Sequence, residues 1–322
     1  MIACVKNRLR APLEWAFSRI PVARAGFKEA AFLRRKVFEL QTELGRQSAA
    51  VIPEPDSPVF EADLDGLNYV SPAGDFTSVV LAYGQPYEPH LYDMLMADAA
   101  KSRNVVDVGA NIGLVALPLA RVVQGNVYCF DLSPRNAKFL HDNARRNGLD
   151  NIKVFPIAAS DRLHSRALRL KTETSLNVAN QFSDGDIHSN DDAFVIPFAP
   201  LDDLLADAPP IDLLKFDVDG WDYQALRGAL KLIDRWSPVI YTEYCPFLFT
   251  SVGGTTEPEY LRLLTELGYE VSVLGPFVPT GPAPTTDPEA LAAFLADVLA
   301  TVSHTAQMHI DLRWERTGTS PT

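Results

Sequence analysis

Nine residues, Val105-Val106-Asp107-Val108-Gly109-Ala110-Asn111-Ile112-Gly113, constrain what this chain can fold into more than any other stretch. A short apolar strand stops at glycine, the chain turns tightly, and helical apolar spacing begins at about Ile112. A second apolar strand ends at Phe130-Asp131, 24 residues after Asp107. A strand, a glycine turn, a helix and a second strand closed by a carboxylate form the opening unit of a doubly wound α/β sheet. In such sheets ligands bind at the carboxyl ends of the strands.

The rest of the chain keeps that alternation. The pattern predicts short strands over 59–83, a helix from about 90 to 101 and the first core strand at 104–108. A helix at 112–123, a strand at 126–131, a helix at 134–147 and a strand at 152–157 follow. A polar insertion, 172–192, interrupts the series before strand 194–198, a short helix at 200–206 and strand 211–217. Helix 221–235, strand 238–243, helix 257–268, strand 269–275, helix 288–302 and a last strand, 308–314, complete it. Strands alternating with helices of this length imply a mostly parallel sheet covered on both faces. The polar segments 172–192 and 276–288 read as lids.

Charge is unevenly spread. The chain carries a net charge of −12, yet residues 1–47 hold ten Lys/Arg against four Asp/Glu, a local +6 that leaves −18 for the remainder. An acidic body argues against general nucleic-acid binding, which needs a basic footprint. Residues 27–44 read as a basic amphipathic helix. It is expected to pack on its own domain or a second subunit, with anionic lipid as the alternative. Prolines at 53, 55 and 58 mark a linker, so the expected division is an N-terminal helical extension, 1–52, and one catalytic domain, 53–322. No apolar run approaches the ~20 residues that span a bilayer, so the cytoplasm is expected, with membrane association through the basic helix as the alternative. Cys4, Cys129 and Cys245 have no metal-binding spacing, and neither a disulfide nor a metal is expected of them.

Asp107 decides between cofactors. A dinucleotide pyrophosphate on the helix N-terminus would be repelled by a carboxylate at this position, and the loop lacks GxGxxG. A ligand carrying an ammonium and a sulfonium, as S-adenosylmethionine (SAM) does, would be attracted. Gly109 allows the tight turn and a close approach of the cofactor, and Gly113 allows helix and strand to pack. Asp131 can accept ribose hydroxyls, while Asp131 or Ser133 before Pro134 is also a good helix cap. Ser160 and Asp161 fall at the sheet's carboxyl edge, where a polar side chain meets adenine or simply forms a turn.

Acids are dense in Leu214-Lys215-Phe216-Asp217-Val218-Asp219-Gly220-Trp221-Asp222. Asp217 and Asp219 leave the end of one strand, and Glu243 ends the next. Such carboxylates share a proton, bind a hard cation such as Mg²⁺, or hold a substrate hydroxyl. Asp222 is expected to complement a helix dipole. His304 and His309 are expected to be structural.

These stretches together resemble the FkbM family of SAM-dependent methyltransferases. The resemblance runs through VVDVGANIGLVA (105–116), YCFDLSPRNAKFLHDNARRNGL (128–149), AASD (158–161), PLDDLL (200–205), IDLLKFDVDGWDYQALRGA (211–229) and PVIYTEY (238–244). It implies a Rossmann-like class I methyltransferase fold and O-methylation of a hydroxyl on a sugar or natural product. By the same resemblance Asp107, Gly109, Ala110, Asn111 and Gly113 would hold the methionine part. Asp131 and Leu132 would meet ribose, and Ser160 and Asp161 would lie near adenine. Asp131 and Asp219 both stand where the family usually has glutamate. For catalysis, Asp217 with Asp219 or Glu243 is expected to orient and deprotonate the acceptor, and a Mg²⁺ ion on these three is the variant. The rival readings are a non-catalytic scaffold that retains the fold and a nicotinamide-dependent oxidoreductase.

Overall fold

The computed structural model describes residues 59–74, 76–169, 193–275, 280–302 and 309–316. The basic helix, the boundary near residue 52, the insertion 172–192 and His304 lie outside the described residues.

Strands β1 (Val59–Leu64) and β2 (Leu67–Pro72) form an antiparallel hairpin. After them come β3 (Val105–Val108), β4 (Val127–Phe130), β5 (Ile152–Phe155), the two-residue β6 (Ala158–Ala159), β7 (His164–Arg169) and β8 (Ala193–Ala199). Then follow β9 (Leu213–Phe216), β10 (Val239–Tyr244), β11 (Tyr269–Leu274), β12 (Gly281–Pro282) and β13 (Ile310–Arg316). The central sheet has the order β12-β11-β13-β10-β9-β3-β4-β5. From β5 across to β10 every pairing is parallel, while β13 runs antiparallel to both β10 and β11. Strands β6, β8 and β7 make a small separate sheet.

This is the doubly wound, mostly parallel architecture expected. The chain steps outward from β3 to β4 and β5, then crosses back to place β9 on the other side of β3. The switch point between β3 and β9 opens a crevice at their carboxyl ends. Both core strands are buried along their whole length, as strands covered by helices on both faces must be. Two apolar clusters, one around Val106, Phe216, Ile240 and Trp314 and one around Val105, Leu117, Leu140 and Leu213, fill the two sides.

Several elements differ from the sequence pattern. Residues Phe76–Tyr83 form a helix rather than a strand, with Thr77, Ser78 and Leu81 buried. Tertiary packing decides such a short segment over its β-branched residues. The helix after the glycine loop begins at Ala116 rather than Ile112, because left-handed residues at Asn111 and Gly113 prolong the loop. The expected helix 221–235 is two helices, Asp222–Arg227 and Leu230–Trp236. Between them, a Cβ on Gly228 would overlap the Ser160 carbonyl oxygen.

Candidate active site

The glycine loop is shaped by its neighbours before any ligand is considered. Gly109 has φ +89°, and a Cβ there would overlap the carbonyl oxygen of Asp217. Its freedom is therefore needed so that the end of β3 can lie against the end of β9, rather than only for a cofactor's approach. Gly113 (φ +96°) is closed in by Leu117 of helix Ala116–Val122 and by Leu140 of helix Pro134–Arg146, so the contacts it permits are with two helices, where helix-against-strand packing was expected. Asn111 adopts φ +49° where a generic loop has glycine, a conformation asparagine tolerates better than most residues.

Asp131 ties this loop to the end of β4. Its Oδ2 accepts the Asn111 N–H at 2.8 Å, and its Oδ1 accepts the Ser133 N–H at 2.8 Å and the Asn136 amide at 3.4 Å. Ser133 is the helix cap, with its hydroxyl accepting the Asn136 N–H. Burial pushes the Asp131 carboxyl up to about 6 although these donors pull it down.

Asp107 is different. It is 1% exposed, and neither carboxylate oxygen has a hydrogen-bond partner. Burial raises it to about 6, partly offset by Lys215. Two orphan oxygens on a buried acid at a cleft are costly unless a ligand supplies donors. A cationic, donor-bearing ligand fits them.

Asp107, Gly109, Ala110, Asn111, Asp131, Leu132, Asp217 and Asp219 all line one cleft. Ser160 and Asp161 do not. Ser160 is fully buried, and Asp161 pairs with Arg227 at 3.2 Å. Ile157, Ala158, Leu132 and Phe198 do line the cleft. The Phe198 ring meets Trp221 edge-on at 5.8 Å.

The acids after β9 are not equivalent. Asp217 Oδ2 accepts from Lys215 Nζ at 2.8 Å. Asp219 lines the cleft with φ +50°, a left-handed conformation that costs energy outside glycine. Burial, then the charge of Asp217, pushes it up to about 7. Asp222 is the first residue of its helix, but it is buried, with Oδ1 unpartnered, and burial raises it to about 8, which works against the helix-dipole charge expected of it. Glu243 does not line the cleft. It pairs with His309 Nδ1 at 3.2 Å, and burial together with Asp217, Asp222 and Asp219 raises it well above the carboxylate range.

The metal variant on Asp217, Asp219 and Glu243 is not supported by this arrangement. Among the described residues no group of three His, Cys, Asp or Glu side chains is placed to hold a metal ion. One oxygen of Asp217 is paired with Lys215 and one of Glu243 with His309.

Lys215, Tyr87 and Glu88 belong to the site, and none was singled out from sequence. Lys215 is 3% exposed and lies 3.7 Å from Glu88 Oε2. Burial works against its charge, but Asp217, Glu88 and Asp107 outweigh it and hold the ammonium well above the ordinary lysine value. Tyr87 lines the cleft, and its phenol is raised by burial and by Asp217 and Glu88. The available signal was a lysine inside the otherwise apolar strand Leu213-Leu214-Lys215-Phe216, since a buried lysine requires an acidic partner.

Comparison with known proteins identifies the family. The Methyltransferase FkbM domain family matches residues 107–271, just over half of the 322 residues. The tRNA (guanine(37)-N(1))-methyltransferase of Heterostelium pallidum is 37% identical over 57 residues, covering 18% of this chain and 13% of that protein. The ribosomal RNA small subunit methyltransferase G of Campylobacter jejuni is 32% identical over 79 residues, covering 22% of this chain and 42% of that protein. The matches thus span less than half the length of either curated relative. Among solved structures, methyltransferase FkbM from Methylobacillus flagellatus KT has a TM-score of 0.39 at 16% identity, covering 66% of this chain and 43% of that one. A SAM-dependent O-methyltransferase from Thermotoga maritima has a TM-score of 0.39 at 13% identity, covering 79% and 76%. By the family match across residues 107–271, the chain belongs to the FkbM methyltransferase domain family.

Proposed function

We propose that this methyltransferase uses SAM to methylate a hydroxyl oxygen of a small molecule, a sugar or natural-product scaffold. The observation that carries the reading is the pair of unpartnered Asp107 oxygens at the glycine-loop cleft. When bound, the cofactor supplies a methyl group activated by a sulfonium. Asp107 receives its ammonium. Asp131 keeps lone pairs for a ribose hydroxyl beyond the N–H groups it already accepts. The small-molecule acceptor is favoured over RNA by charge: among the described residues the cleft is lined by Asp107, Asp131, Asp217 and Asp219 against one cation, Lys215, which disfavours a polyphosphate backbone.

Rate comes chiefly from holding the acceptor oxygen in line with the methyl group. The acceptor must also lose its proton, and Asp219 is the carboxylate suited to take it. Asp217 is engaged by Lys215 and Glu243 by His309. Asp219 faces the cleft and is pushed up to about 7, near the working pH. The test is methyl transfer from radiolabelled SAM to a panel of hydroxylated sugars and polyketides. Asp219→Asn should keep cofactor binding and lose about 10²–10⁴ in rate. Full turnover by that variant would remove Asp219 as the base, and RNA as the preferred acceptor would overturn the substrate class.

A further inference from the structure

The cleft floor holds an acid and a base side by side. Parallel pairing places Asp107 directly opposite Lys215 on the neighbouring strand, a spacing of about 4.8 Å between strands. Both side chains reach the cleft, and both are buried. Among the described residues Lys215 is the one basic side chain lining it. Its Nζ has three donors. One goes to Asp217 at 2.8 Å, and Glu88 lies at 3.7 Å, beyond hydrogen-bond distance. Donor capacity therefore remains, beside a carboxylate whose two oxygens have no donor.

An α-amino acid presents the complementary pattern, an ammonium and a carboxylate on one carbon. We propose that Lys215 binds the carboxylate of the cofactor's methionine moiety while Asp107 binds its ammonium, so that the two strands together read a zwitterion. The assignment of Lys215 rests on the SAM reading above and adds to it a residue that distinguishes SAM from ligands lacking the carboxylate. Glu88 stands close to Lys215 without lining the cleft. It helps keep the lysine charged in a buried position. A lysine serving only to neutralise Asp107 and Asp217 would oppose an incoming ammonium, and its removal would preserve or tighten binding of a cationic ligand. The proposal predicts the opposite sign.

The experiment is a calorimetric titration of the full chain with SAM, S-adenosylhomocysteine, decarboxylated SAM and 5′-methylthioadenosine. The wild type should prefer SAM over decarboxylated SAM by about 10- to 100-fold, the worth of a charge-assisted hydrogen bond. Lys215→Met should lose a similar factor for S-adenosylhomocysteine and leave 5′-methylthioadenosine unchanged, erasing the preference for the carboxylate. If Lys215→Met fails to fold, Lys215→Gln takes its place, because the wild-type comparison tests only whether the carboxylate is read at all. Equal wild-type affinities for SAM and decarboxylated SAM, or tighter binding of S-adenosylhomocysteine by a folded Lys215→Met, would overturn the assignment. Binding of none of these ligands by the wild type would instead sink the SAM reading itself.

Discussion

Gly109 and Asp217 lie against each other at the ends of adjacent strands, so close that a Cβ on Gly109 would overlap the Asp217 carbonyl oxygen. The same contact draws the glycine loop and the acid-rich turn after β9 into one cleft. The loop that presents Asp107 and the turn that presents Asp217 and Asp219 are therefore a single mechanical unit.

Gly109→Ala should consequently be severe. It combines a steric overlap with backbone with a φ of +89° that an L-residue rarely adopts, and the loss should be on the order of 3 kcal/mol or more. Urea unfolding would show it. A variant within 0.5 kcal/mol of wild type, roughly the effect of a neutral surface change, would contradict the packing described here.

Cofactor affinity should depend on pH through Asp107. Its carboxyl is raised to about 6 by burial, and the ionised form is the one that receives an ammonium. Affinity for S-adenosylhomocysteine should fall up to about tenfold per pH unit below that value and level off above pH 7. Asp107→Asn should flatten this slope, leaving at most the part due to Asp131, which is also raised to about 6. A flat wild-type profile between pH 5 and 7 would count against Asp107 as the ammonium's partner.

Stability of the ligand-free protein should run the other way. Asp222 is raised from 3.8 to about 8 by burial and Asp217. Its folded form holds a proton that its unfolded form releases, so the stabilisation is complete below the unfolded value. It is lost progressively as pH rises to about 8. Asp222→Asn does not titrate and should gain thermal stability relative to wild type between pH 6 and 8.5. Scanning fluorimetry at a series of pH values measures this; a constant difference between the two proteins would be the contrary result.

Much of the site was legible because its constraints are local. The strand Val105–Val108, Gly109, Asp107 and the strand-end Asp131 declare themselves through apolar runs, a turn residue and charges at fixed offsets. The turn acids Asp217 and Asp219 were readable for the same reason. Lys215 and Glu88 were not, because their meaning lies in pairing between β9 and the segment before Pro89, distant in sequence. Ser160 and Asp161 were placed by motif position, yet the contact with Arg227 decides where Asp161 goes. The break between helices Asp222–Arg227 and Leu230–Trp236 was hidden likewise, since Gly228 is required by a carbonyl from another segment.

Asp131→Ala should loosen the glycine loop. Its carboxylate satisfies the N–H groups of Asn111 and Ser133, and each buried donor left without a partner costs about 1–3 kcal/mol. Hydrogen exchange should quicken at Asn111 and Ser133 together, with weaker cofactor binding. Unchanged exchange at both amides would show that the loop is held by something else.

If Asp107 and the glycine loop form a live SAM site, calorimetric titration of SAM into the purified protein will show it. Micromolar binding by the wild type and none by a folded Asp107→Ala are expected. Absence of binding by folded wild-type protein would contradict a SAM site there.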